Sequence, residues 1–439
     1  IWGVDVAEFA SFETFTISHH RLLEHITAYD CFSSIDKYQY VALSLGIEAS
    51  RHSIYGMVVA ALGEVDYGLG HGYWQTTSMA EALMRVVYLS QFPNMVGGGE
   101  YSLLDLMSNL PKSIEPVLVT PRPGIFTDSA HKRNIRHDTL PMPPLKQVRF
   151  STFSQWRKAI KAFKPDVLHA NNSRAAFYAG ITAKTLGIPI IFHCRISDTD
   201  GFMDKILMRL VDVIICNSEA VAQRFVDFPK PTHVIYNGLP ITPFPNLVNP
   251  LPSVDKYMLF VGRITPEKQL EHALEVFAAL ARQDAGLHFV IVGGAGPEDE
   301  GYLQQVKEDY VRKTWFSRVH WLGFCHDVTK WYVHATALIL TSKHEGFGRV
   351  LVEAMAQATP VVAYAVGGVP EVFDDGEEGY LIQPNDKQAM VGACSKIIND
   401  DSLQQSLGQA GQQRAIQFSI EKHVAQVTDV YTSLIEKKP

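Results

Sequence analysis

The sequence predicts an α/β protein with two doubly wound parallel sheets facing each other across a cleft, preceded by a helical extension. From about residue 84, short β-rich apolar runs alternate with helical patterns, as strands joined by crossover helices do. A second series of the same kind starts near residue 257. Between them lies the stretch from Pro240 to Pro252, which also holds Pro243, Pro245 and Pro250 and has the composition of an interdomain linker.

In the first series, residues 85–90 read as a strand and 100–110 as a helix, with further strands at 116–120, 166–170, 188–193 and 211–217. In the second, strands are expected at 257–261, 287–293, 319–322, 337–341 and 360–364, with helices at 266–282, 302–313 and 348–357. A final amphipathic helix, about 417–436, is suited to pack back across the domain junction. The expected division is therefore 83–245 for the first α/β domain, 246–416 for the second and 417–439 for the C-terminal helix. Residues 1–82 do not follow the alternation and receive no role. There, His19, His20, His25 and Asp30 match no metal-ligand spacing and read as residues of an ordinary helix.

The 439 residues are enough for two or three domains with separate cores, and 46% hydrophobic with 19% charged residues is ordinary for a globular chain. A net charge of −7 excludes a globally basic nucleic-acid binder. No apolar run approaches the roughly 20 residues that cross a bilayer, and the start shows no secretory pattern. The chain begins at Ile1 rather than Met, as a processed or truncated chain would. Five scattered cysteines without CxxC spacing argue against a disulfide framework or a zinc site, and for a reducing, cytoplasmic setting.

Chemistry concentrates in residues 344–354, His-Glu-Gly-Phe-Gly-Arg-Val-Leu-Val-Glu-Ala, where Glu345 and Glu353 have seven residues between them. An expected strand precedes the run and a helix follows. Glu345 then sits at the C-terminal end of a strand, where doubly wound sheets bind ligands, and Glu353 lies about two turns on. Gly346 and Gly348, flanking Phe347, let the backbone approach a ligand, and the amides that open the helix favour an anion. Amides for a phosphate and carboxylates for hydroxyls together describe a sugar nucleotide; a capped helix with two surface glutamates would use the same residues. Arg263 and Lys268, with Gly262 at the first strand-to-helix turn of the second domain, are placed to neutralise a diphosphate, or are ordinary loop charges.

Gly97, Gly98 and Gly99 follow the first strand and open a helix, suiting close approach of a phosphate or the reacting sugar, although they lack the GxGxxG spacing of a dinucleotide site. Residues 293–297 and 321–327, the latter with Gly323 and Phe324, border the same crevice, and 366–371 offer another helix start facing it. In the first domain His169, Asn171, Asn172, His193 and Arg195 fall at strand ends, where they can meet acceptor hydroxyls or a developing charge; a lone histidine more often has a structural role. Residues 132–164 carry nine Lys or Arg against the single acid Asp138, a solvated face or a docking surface for an anionic membrane or acceptor.

Taken in order, Gly262-Arg263 with Glu267-Lys268, Glu345-Gly-Phe-Gly348 through Glu353-Ala354, and Gly367-Gly-Val-Pro-Glu371 resemble the retaining glycosyltransferases of the GT-B fold, family 4 type (glycosyl transferases group 1). The resemblance runs from about Met84 to the C-terminus and implies two Rossmann-like domains, the first for acceptor and the second for donor. It implies that Arg263 and Lys268 hold the donor diphosphate, Glu345 lies near the donor sugar and Glu353 receives the ribose hydroxyls. Gly97 to Gly99 would border the donor phosphates. The chain departs from the family at Asn171, where many members have a second histidine, and at Ala358, where a glycine usually precedes the following turn.

The implied reaction moves a hexose-type sugar from a UDP-, GDP- or ADP-sugar to a saccharide or lipid-linked acceptor in cell-envelope or exopolysaccharide synthesis. It is expected to proceed with retention, without metal or other cofactor, with the enzyme peripheral at the inner face of the membrane. Alternatives are an epimerase or phosphorylase of the same architecture, or a non-catalytic subunit that binds a nucleotide sugar.

Overall fold

The computed structural model describes residues 83–436 apart from Val96, residues 198–200, residues 243–246 and His326. The expected N-terminal extension, residues 1–82, lies outside the described residues. Two wholly parallel sheets organise the rest. In the first, β1 (Met84–Leu89), β2 (Ile114–Thr120), β3 (Arg136–Thr139), β4 (Val167–Ala170), β5 (Ile190–Cys194), β6 (Val213–Cys216) and β7 (Thr232–Val234) lie in the order β3-β2-β1-β4-β5-β6-β7. In the second, β8 (Lys256–Val261), β9 (Leu287–Val292), β10 (Val319–Trp321), β11 (Ala337–Leu340), β12 (Val361–Tyr364) and β13 (Gly379–Ile382) lie in the order β10-β9-β8-β11-β12-β13. In each sheet the order reverses beside the first strand, between β1 and β4 and between β8 and β11, and such reversals open a crevice at the C-terminal strand ends.

The central strands are mostly apolar because helices cover both faces. Beneath the first sheet, Leu89, Leu168 and Phe192 pack with Trp156 and Tyr178 of the helices Phe150–Phe163 and Ser173–Leu186. Over its other face, Val86, Tyr88, Leu118 and Ile191 meet the helix Gly98–Ser108 and Val424, Val427 and Tyr431 of the last helix, Ile420–Glu436. That last helix follows the second domain in sequence yet completes the core of the first. The chain re-enters through paired backbone bonds, Leu239 N–H to the Phe418 carbonyl at 3.0 Å and Ile420 N–H to the Leu239 carbonyl at 2.9 Å. The second sheet is sandwiched in the same way, with Phe260, Phe277 and Phe289 on one face and Tyr257, Leu340 and Val352 on the other.

Three strands fall outside the sequence expectation, each at a sheet edge: β3 (Arg-His-Asp-Thr), β7 (Thr-His-Val) and β13 (Gly-Tyr-Leu-Ile). The expected helix over 266–282 is divided. Pro266–Lys268 forms a short 3₁₀ turn, Gln269 turns left-handed at φ +46°, and the α-helix runs only Leu270–Leu280. The kink is held by Thr341, whose hydroxyl donates to the carbonyls of Lys268 (2.9 Å) and Gln269 (3.0 Å). At the family departure, Ala358 also adopts a left-handed φ of +58°, which costs a side-chain-bearing residue about 1–2 kcal/mol.

Candidate active site

The loops after β8, β9 and β10 are stitched into one rim. Gly262 N–H reaches the Val292 carbonyl at 3.0 Å, Gly293 N–H the Gly323 carbonyl at 2.8 Å, and Ile264 N–H the Gly294 carbonyl at 3.0 Å. Gly262, Arg263, Gly323 and Phe324 therefore share one edge of the second sheet. Arg263 is exposed, and Phe324 is 56% exposed at that edge.

Beside them the kinked turn carries Lys268 to Glu345. The Lys268 ammonium lies 2.5 Å from Glu345 Oε2, which also accepts from the Ser342 hydroxyl at 3.2 Å. Lys343 N–H to the Glu267 carbonyl, 2.7 Å, ties the two loops together. One carboxylate oxygen thus carries two donors, which fixes the orientation of the Glu345 side chain.

Gly348, at φ +87°, ends the loop and opens the helix Arg349–Ala356. Phe347 is buried against Tyr236 and Phe418, with ring centroids 6.0 and 5.4 Å away. Gly346 also meets the first domain. A Cβ there would lie 2.3 Å from the Arg195 carbonyl, so the missing side chain admits the backbone of the first domain. Glu353, one turn into the helix, has one donor on each carboxylate oxygen: Arg349 Nε donates to one at 2.7 Å and the Tyr332 hydroxyl to the other at 2.8 Å, which leaves acceptor capacity on both.

Across the cleft, the Gly97–Gly99 turn starts the helix Gly98–Ser108. Glu100 folds back to accept from Gly97 N–H at 3.1 Å, an exchange that satisfies an otherwise open helix-start amide. Glu100 is almost fully buried, and burial raises its carboxyl to about 7, against the pull of the Gly97 amide and of Arg195 and Arg263. A Cβ on Gly97 would stand 3.8 Å from Arg263 Nε, one on Gly98 3.8 Å from the Arg349 side chain, and one on Gly99 3.2 Å from the Arg195 side chain. The glycine turn is thus ringed by three guanidinium side chains, two of them from the opposite domain. A helix start with Arg263 beside it is an arrangement that can accept a phosphate.

The five expected acceptor-side residues divide, with Asn172 held by the Gln91 amide and the Ser90 hydroxyl. Arg195 and Asn171 reach the glycine turn: Arg195 Nε donates to Asn171 Oδ1 at 2.8 Å, and Asn171 Nδ2 to the Gly99 carbonyl at 3.3 Å. Arg195 also bonds Asn237, and desolvation lowers its guanidinium from the ordinary value while Glu100 opposes this. His169 and His193 instead lie fully buried within their strands. His169 Nδ1 meets the Tyr431 hydroxyl at 2.7 Å, its Nε2 meets His193 Nδ1 at 3.0 Å, and Tyr431 in turn meets Tyr88 at 2.9 Å. They link the C-terminal helix to Arg195, whose Nη2 is 3.3 Å from His193 Nδ1.

Sequence reasoning gave no role to several residues that close the cleft. Arg349 Nη2 donates to Asp105 Oδ2 at 2.7 Å across the domains, and Asp105 also holds Arg133 at 3.1 Å. Glu371 accepts the Glu219 and Ala220 amides at 2.7 and 2.8 Å, joining the second domain to the first. The i,i+4 spacing of Arg349 and Glu353 was a readable signal, as was Glu100 three places after Gly97; nothing local marks Asp105. Among the described residues no group of three or more His, Cys, Asp or Glu is arranged to hold a metal ion, and no helix is long and apolar enough to cross a membrane.

Known proteins agree with this architecture. Residues 248–414 match the family described as glycosyl transferases group 1, and residues 96–242 match glycosyltransferase family 4. An uncharacterized glycosyltransferase of Methanocaldococcus jannaschii is 27% identical over 369 residues, covering 80% of this chain and 99% of that one. A capsular polysaccharide biosynthesis glycosyltransferase of Staphylococcus aureus is 23% identical over 321 residues, 66% of this chain and 83% of that one. Among solved structures, HepE of Anabaena in complex with UDP superposes with a TM-score of 0.71 at 23% identity, covering 80% of this chain and all of that one. The two matched segments, the paired parallel sheets and the loops that meet between them place the chain in the group 1, family 4 type of GT-B glycosyltransferases, enzymes related to those of cell-envelope polysaccharide synthesis.

Proposed function

We propose that this glycosyltransferase transfers a hexose-type sugar, with retention, from a nucleotide diphosphate sugar to a saccharide or lipid-linked acceptor, without a metal ion. The observation that carries the reading is the convergence of Arg263, the Lys268–Glu345 pair and the Gly97–Gly99 turn on one cleft. Arg263 and Lys268 neutralise the departing diphosphate, with the amides of Gly98, Gly99 and Gly346–Gly348 assisting. In this reading these cations perform the charge neutralisation that other transferases assign to a divalent ion. Glu345, aligned by Lys268 and Ser342, accepts from donor-sugar hydroxyls, and Glu353 from the ribose. The acceptor hydroxyl attacks from the face the diphosphate leaves, forming the new C–O bond as the old one breaks. Its proton passes to the leaving phosphate oxygen. Asn171 and Arg195 face this reaction from the first domain. UDP in the HepE complex favours a uridine donor, with GDP- and ADP-sugars as the other candidates.

A thermal-shift comparison of UDP-, GDP-, ADP- and CMP-sugars tests the reading. One of the first three should stabilise the protein, and the shift should vanish in Arg263→Ala combined with Lys268→Ala. No shift with any of them would remove the donor-site assignment.

The same proposal sets the enzyme in the cytoplasm, peripheral to the membrane. The helix Phe150–Phe163 leaves Phe150 91% exposed and turns Arg157, Lys158 and Lys161 outward, with Lys146 and Arg149 before it and Lys164 after. Apolar and cationic groups on one surface suit an anionic leaflet. Co-sedimentation with phosphatidylglycerol vesicles should fall at least several-fold in Arg157→Glu with Lys161→Glu; equal sedimentation would leave the face merely solvated.

A further inference from the structure

We propose that Arg349 is a positioning residue that couples nucleotide binding in the second domain to closure of the first domain over it. The inference rests on the donor-site reading, with Glu353 as the ribose acceptor, and adds a residue and a function to it.

Arg349 is the first residue of its helix and its side chain is only 14% exposed. One edge of its guanidinium holds Glu353, within its own domain, through Nε. The other edge crosses the cleft, with Nη2 on Asp105 and Nη1 3.4 Å from the Ser102 hydroxyl, while the charge stands 5.9 Å from the Tyr101 ring. All three first-domain partners belong to the helix that begins at the Gly97–Gly99 turn. A single planar group therefore bonds both the Glu353 carboxylate and the opposite wall of the site.

Charge accounting shows why this contact can open and close. In the closed arrangement two cations, Arg349 and Arg133, face two anions, Glu353 and Asp105. If the domains separate, Arg349 keeps Glu353 and Asp105 keeps Arg133, so neither wall is left with an unpaired buried charge. A buried pair that loses its only partner is expensive to break, whereas here each half retains one. Closure adds the cross-domain bonds to charges that already have a partner. A nucleoside that engages Glu353 through its ribose meets a carboxylate already fixed by Arg349 and Tyr332, in the geometry that also fits Asp105. Binding and closure then favour each other, and the effect is reciprocal.

Asp105 is the position to test, because it lies on the opposite domain. UDP and UDP-glucose affinity, measured by calorimetry, should weaken by about 5-fold or more in Asp105→Asn, the lower end of typical coupling between linked sites. Small-angle scattering should show the wild type compacting with saturating UDP and the variant compacting less. Asp105→Glu, which keeps the charge, should recover most of the affinity, and unfolding of each apo variant in denaturant checks that the fold is intact. Wild-type affinity in a folded Asp105→Asn overturns the coupling. Failure of the wild type to bind any nucleotide overturns the donor-site reading instead.

Discussion

Lys268 and Glu345, 77 residues apart in the chain, meet at 2.5 Å because the chain kinks at Gln269 and Thr341 clasps the kink. The ammonium is oriented before any ligand arrives, and Glu345 is kept from turning toward solvent. Lys268→Met should lower turnover by about 100-fold, the scale of losing one fixed electrostatic partner of a developing anion. Glu345→Gln, which keeps the hydrogen-bonding shape, should lose less in donor affinity than in turnover. Steady-state kinetics on both variants separates the two effects, and unchanged turnover in Lys268→Met would take that residue out of the chemistry.

The buried histidines give the fold an acid limit. Burial, with Arg195 adding to it, holds His169 and His193 well below the ordinary histidine range and brings His423 down to about 3. The unfolded chain titrates these rings near pH 6.5, so below that pH it binds protons that the folded protein excludes. Stability therefore rises with pH across this window and is lost as pH falls from about 6.5. The slope reaches roughly 1.4 kcal/mol per pH unit for each histidine. Denaturant unfolding at pH 7.5 and 5 should show the loss, and His423→Gln should reduce the slope by about one proton. An identical slope in that variant would mean His423 titrates normally.

At Ala358 the backbone strain has a direct remedy. Ala358→Gly should stabilise the protein by about 1 kcal/mol, since glycine meets no steric penalty at φ +58° and gives back part of the gain as unfolded-state entropy. A lower denaturation midpoint would contradict the strain.

The central strands were legible because parallel strands covered on both faces are apolar along most of their length, as Val86 to Leu89 and Ala337 to Leu340 are. β3, with Arg136, His137 and Asp138 exposed, carries no such signal, because an edge strand needs backbone pairing more than burial. In the site, the charges on strand-end loops could be read from sequence, since topology fixes where those loops lie. The bonds between domains could not. Arg349 and Asp105 are 244 residues apart, and only the docking of two finished domains decides that they meet. For the same reason the burial of His169 and His193 was not legible: Tyr431 reaches the first and His423 the second from the far end of the chain.

The path of the last helix limits how such enzymes can be recombined. Because Ile420–Glu436 completes the core over β1 after the second domain has been built, the first domain is not a continuous piece of chain. A hybrid that joins this donor domain to a foreign acceptor domain at a single linker crossover would bring along Tyr431 and Val427 cut for the wrong core. A working exchange needs two crossovers, one in the proline-rich linker and one near Phe418, so that the terminal helix travels with the sheet it covers.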